Sequence, residues 1–240
     1  MNIAGVGVIP SGEFDEKISI SGTGRLSGNL RCKGLSISGE ASGAGDIVCD
    51  GKMSVAGSAH FKGYLRAETL WIAGSFRLEE GCTAQQDIRV AGAAHFGGAV
   101  KCGNLHSDGS IRLDAGAEAE EICLSHRTQS GGLLNAETVT LQLRGGTSCV
   151  ASIGGSSIQV KNIGRRFSLR DLLQCGTQRY GFLKVEESIE GETVTLENTS
   201  APVVVGDTVN IGKDCEIGRV QYTGQLEIHP EAKVGEVEKL

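Results

Sequence analysis

Ile18-Ser-Ile-Ser-Gly22, Leu35-Ser-Ile-Ser-Gly39, Met53-Ser-Val-Ala-Gly57, Leu70-Trp-Ile-Ala-Gly74 and Ile88-Arg-Val-Ala-Gly92 are five versions of one phrase. Their starts lie 17, 18, 17 and 18 residues apart. The phrase continues in weaker form at Leu105, Ile122, Val139 and Ile158. Within it, apolar residues stand at i and i+2. That is the strand period, which sends alternate side chains to one face.

The rest of each repeat aligns as well. Eight residues past the turn position stand Leu30, Ile47, Leu65, Cys82, Val100, Ala117, Leu134 and Ala151. Ten past it stand Cys32, Cys49, Ala67, Ala84, Cys102, Ala119, Ala136 and Ile153. Four past it come Leu26, Phe61, Leu78, Phe96 and Leu113. A helical solenoid repeat needs 33 residues or more, and no 3.6-residue period is present. The fold expected is all-β: a single-stranded β-helix, or β-solenoid, with 17–18-residue coils of about three short strands and a C-terminal β extension. Coils stacked about 4.8 Å apart make the stretch from Ile18 to Ile158 a rod of about 38 Å.

Composition fits a thin, regular core. Glycine accounts for 36 of 240 residues and aromatics for only 4%, so small and β-branched side chains must fill the interior. Gly22, Gly39, Gly57, Gly74, Gly92 and Gly109 fall at one corner, where a positive φ is the expected reason for glycine. The Cys/Ala file reads as small apolar packing, with Cys32 and Cys49 neighbours in adjacent coils.

By organisation, residues 1–13 read as an N-terminal cap or tail and 14–162 as the β-helix. Residues 163–182 read as a connector, with a short helix over Phe167–Cys175 capped by Ser168. Residues 183–240 read as a second β-solenoid-like segment, with strand signals at Leu183–Val185, Val194–Leu196, Val203–Val205, Val209–Ile211, Cys215–Ile217, Val220–Tyr222 and Leu226–Ile228.

The net charge of −6 argues against a nucleic-acid partner, which normally meets a basic surface. No basic leader with a long apolar run opens the chain, so a cytoplasmic location with reduced thiols is expected. Catalytic signatures are missing: the sequence holds no G-x-S-x-G, H-E-x-x-H or Walker phrase and no C-x-x-C pair. His60 and His95 share an outward position two coils apart, about 10 Å, which is too far for one zinc ion. His106 is likewise outward and His126 takes a turn position. Neither an enzyme activity nor a cofactor, metal or small-molecule substrate is expected. Trp71 faces outward between Ser54 and Arg89 in its file; it reads as a cation–π partner of Arg89 or as an anchor for lateral contact.

An open β-helix ends in unpaired backbone groups that template further pairing. The residues expected to form such an interface are Ile18, Ile20, Leu26 and Leu30 in the first coil, and Tyr222, Leu226 and Ile228 near the other end.

The Ile-Ser-Ile-Ser-Gly and Val-Ala-Gly corners, the phrase Ala59-His-Phe-Lys-Gly63 and the 17–18-residue spacing resemble the bactofilin family of bacterial polymer-forming cytoskeletal proteins. The resemblance covers about residues 14–145. Glu190-Gly-Glu-Thr-Val-Thr-Leu-Glu-Asn-Thr199, Val209-Asn-Ile-Gly212 and Cys215-Glu-Ile-Gly218 resemble a longer, Gram-positive-type branch. It implies a right-handed, three-faced β-helix and nucleotide-independent, head-to-tail or end-to-end homopolymers. It also implies contact with membrane-associated or motility proteins at the inner face of the membrane, to which Ile3–Ile9 could contribute. The alternatives are a capped β-solenoid adaptor for membrane or motility machinery and, against the absence of six-residue repeats, a left-handed β-helix acyltransferase.

Overall fold

A computed structural model describes residues 1–164 and 181–240. Among the described residues there is no helix; the chain is a stack of parallel strands joined in one sheet system that winds about a single axis. The short helix expected over Phe167–Cys175 lies outside the described residues, apart from which the all-β solenoid is as the repeat predicts.

The repeat phrase builds the first of three faces. Its inner file runs Ile3, Ile20, Ile37, Val55, Ile72, Val90, Ser107, Leu124, Leu141 and Val160, each in register with the next. A second inner file runs from Ile18 through Leu35, Met53, Leu70, Ile88, Leu105, Ile122 and Val139 to Ile158. It then passes to Val194, Val209 and Leu226. One continuous apolar core therefore serves residues on both sides of 165–180. The segment expected to be a second solenoid continues the first, coil on coil.

The second face carries Leu26, Phe61, Leu78, Phe96 and Leu113 inward, with Ala41, Ala59, Phe76, Ala94 and Ile111 beside them. Phe76 lies between alanines of the adjacent coils, and its ring approaches those of Phe61 and Phe96 at 6.3 and 5.6 Å. Large and small residues alternate along the file, so a ring in one coil uses space its neighbours leave. Truncating so enclosed a ring costs about 3–5 kcal/mol.

On the third face the inner file is Leu30, Ile47, Leu65, Cys82, Val100, Ala117, Leu134, Ile153, Ile189, Val204, Val220 and Val237. One expectation is corrected here. Ile153, not Ala151, follows Leu134. The preceding turn is longer than its predecessors and passes through Gly145 and Gly146 at φ of 113° and 78°, so a fixed count from the repeat phrase loses register. Val204 points inward and is fully buried while Val203 and Val205 are half-buried. An unbroken run of three valines hides the phase that alternation would reveal.

The corner glycines are also explained differently. Among the described residues the glycines with positive φ are Gly12, Gly116, Gly145 and Gly146, none of them a glycine of the repeated corner. There a Cβ on Gly39 would land on the carbonyl oxygen of Gly22, one on Gly57 on that of Gly39, and one on Gly74 on that of Gly57. Stacked corners approach so closely that only hydrogen fits. At the next position of this corner file stands His126, with a φ of 67°.

Candidate functional site

Ile18, Ile20, Leu26 and Leu30 are interior residues, 0–3% exposed, not an end surface. Asn2–Ile3 pairs with Ser19–Ile20, Val6–Ile9 with Thr23–Leu26, and Gly12–Phe14 with Leu30–Cys32. Residues 1–14 thus form a coil of the solenoid itself, with Ile3 and Ile9 buried. The signal was present in the chain: Ile3 and Ile9 each stand one repeat before Ile20 and Leu26.

At the other end Tyr222 is half-buried, with Lys239 Nζ 5.7 Å from its ring centre. Leu226 is half-buried and Ile228 is 41% exposed. Val6, Val8, Ile228, Val237 and Leu240 are five of the nine large apolar side chains exposed among the described residues, the others being Tyr64, Trp71, Leu133 and Ile163. The sequence reading overlooked Val6 and Val8 because it assigned that stretch to a cap.

Trp71 is exposed and lies between Ser54 and Arg89 in register, as expected. Its cation is a different one. Lys52 Nζ sits 4.5 Å from the indole centre, while Arg89 turns to the Asp87 carboxylate at 3.1 Å. A guanidinium with a carboxylate two residues away along its own strand has a stronger partner than a ring face.

The outward histidines each face a carboxylate. His60 Nε2 is 2.9 Å from Glu79, His95 Nε2 is 2.8 Å from Asp114, and His106 Nε2 is 2.9 Å from Asp108. Arg112 also holds Asp114, at 2.7 Å. Hydrogen bonds from Arg112 and His95 keep the Asp114 carboxyl below its ordinary range. The bond from His106 does the same for Asp108. Among the described residues no three His, Cys, Asp or Glu side chains gather to hold a metal ion.

Cys32 and Cys49 are register neighbours and buried. The hydrogen bond to Cys49, with burial, pushes the Cys32 thiol up. Burial pushes Cys102 up to about 12 and Cys215 up to about 11. Cys32, Cys102 and Cys215 are thus held protonated, the opposite of what a nucleophile or metal ligand requires, while the hydrogen bond with Cys32 lowers Cys49. An open trough of about 890 Å³ beside Pro202, Gly218 and Gly235 is bordered by the Lys233–Glu216 ion pair at 2.8 Å.

Register-stacked parallel coils around one apolar core define a β-solenoid protein. The chain is 38% identical over 109 residues to the Bacillus subtilis protein described as "Uncharacterized protein YhbF", covering 45% of this chain and 42% of that one. It is 38% identical over 109 residues to the B. subtilis "Uncharacterized protein YhbE", covering 45% and 44%. The chain therefore matches less than half the length of each of these relatives. No family model and no solved structure matches it. Among the described residues no helix is long and apolar enough to cross a membrane.

Proposed function

We propose that the protein is a structural, self-assembling scaffold of the bactofilin type, forming nucleotide-independent polymers through end-to-end β-helix contacts. The observation that carries this reading is the concentration of exposed large apolar residues in the first and last coils: Val6, Val8, Ile228, Val237 and Leu240. Apolar surface on the terminal coils, beside backbone that runs parallel to the sheet edge, favours stacking one solenoid on another. Repeated contacts of this kind that do not close produce a filament.

The long sides of the solenoid are of another character. They carry cross-coil ion pairs such as Arg31–Asp50, Lys101–Glu118 and Arg219–Glu236. Such sides stay solvated while the ends associate. In this reading the chain carries out no reaction, and its partner is a further copy of itself.

The test is negative-stain microscopy with sedimentation of the full chain, without nucleotide, over a range of salt and protein concentration. Filaments or long oligomers are expected, and Val6→Glu with Val8→Glu should lower the sedimenting fraction. Uniformly monomeric protein under all conditions would overturn the reading.

A further inference from the structure

The outer surface of the second face differs from the rest of the solenoid. Its central outward file runs Val8, Arg25, Ser42, His60, Arg77, His95, Arg112 and Gln129 in unbroken register. No acidic residue stands in it. The adjoining outward file is small over four coils, Ser58, Ser75, Ala93 and Ser110, with Glu40 in the coil before them. A tall basic row beside a low floor makes a groove along the solenoid axis. An open concavity of about 370 Å³ along it is lined by Arg77, His95, Arg112, Arg127 and Gln129 over Ser75, Ala93 and Ser110, with no carboxylate in the lining.

Some cations of this row are unpaired among the described residues, as are Arg66 and Lys62 on other parts of the surface. Arg31, Arg89, Lys101, Arg219 and Lys233 elsewhere on the surface each hold a carboxylate. Among the described residues Arg25, Arg77 and Arg127 hold none. Arg112 and His95 share Asp114, and His60 holds Glu79; Arg112 and His95 also line the concavity. Protein with a net charge of −6 thus keeps Arg25, Arg77 and Arg127 on one outer surface without a carboxylate partner among the described residues.

We propose that this groove docks a linear phosphate-bearing polyanion lying along the solenoid axis. Guanidinium forks match phosphate oxygens with paired N–H donors. The coil repeat of about 4.8 Å sets His60, Arg77, His95 and Arg112 in successive coils along the axis, as an extended chain of phosphates requires. Serine hydroxyls on the floor add neutral donors. The groove holds no exposed aromatic ring, Phe76 being buried beneath it, so the stacking platform that single-stranded nucleic acids use is missing. The chemistry recognised is the phosphate backbone, not a base. This surface is separate from the terminal coils, and the inference does not depend on polymer formation.

The probe is long-chain inorganic polyphosphate, titrated against the full chain at two salt concentrations, with orthophosphate and a single-stranded oligonucleotide for comparison. Polyphosphate binding that weakens steeply with salt is expected. Arg77→Gln with Arg127→Gln should reduce affinity at least tenfold with an unchanged circular dichroism spectrum. Arg31→Gln with Arg66→Gln removes the same charge from another face and should change affinity less than twofold. Equal losses in the two double variants would reduce the effect to net charge and overturn the proposal. So would failure of polyphosphate to bind more tightly than orthophosphate. Tighter binding of the oligonucleotide would overturn it in favour of nucleic-acid recognition.

Discussion

Ile158 lies directly beside Val194 in adjoining coils, although residues 165–180 stand between them in the chain. The same coil is closed on its other side by Gly146 beside Gly181. Leu143 pairs with Asn162, so Ile163 and Gly164 occupy the step that Arg144 and Gly145 take one coil earlier. Residues 165–180 are thus an insertion between two coil positions that already meet.

Joining Gly164 directly to Gly181 should therefore leave the solenoid intact. Gly164 would take the place equivalent to Gly145, whose φ of 113° a glycine adopts without strain. Thermal unfolding of this deletion variant should stay within about 3 °C of the parent, with the same far-ultraviolet circular dichroism. A collapse of the β signal would show that the inserted residues hold the two parts of the core together. Sedimentation of the same variant would report whether the insertion governs assembly.

The repeated corner makes a sharp prediction about glycine. Gly57→Ala forces a methyl group onto the Gly39 carbonyl oxygen, and backbone on both sides must move. A loss of about 2–3 kcal/mol is expected. Gly5→Ala meets nothing within 4 Å and should change stability by no more than about 0.5 kcal/mol. Equal effects in denaturant melts of the two variants would contradict the close-approach explanation.

Alkaline pH should destabilise the fold through its thiols. Cys102 and Cys215 have ordinary values of 9.0 when unfolded and about 12 and about 11 when buried. Above pH 9 the unfolded chain loses these protons while the folded chain keeps them. Stability then falls as pH rises, because the unfolded state binds fewer protons. The loss spans pH 9 to about 11 for Cys215 and continues to about 12 for Cys102. Cys102→Ala should flatten the upper part of this slope in denaturant titrations. An unaltered slope would mean that another group carries the dependence.

The architecture was legible because each coil repeats the same inward and outward choices. Ile20, Ile37, Val55 and Ile72 form the interior row that their spacing demands. What escaped were features set by neighbours in space. The glycine corner looks like a conformational requirement in one coil and becomes a steric one only when coils stack. The partner of Trp71 depended on Asp87 attracting Arg89 away. Residues 1–13 read as a cap or tail, although Ile3 and Ile9 keep the repeat. The basic groove was hidden too. Arg25, Arg77 and Arg112 are scattered singly along the chain and become a row only when wound at one residue count per coil.

The alternation of Ala59, Phe76 and Ala94 fixes how this interior can change over evolutionary time. Volume is allotted to pairs of coils, not to positions. A second ring at Ala59 or Ala94 would meet the one already at Phe76. The size of a side chain in one layer thus limits what the layers on either side of it can hold.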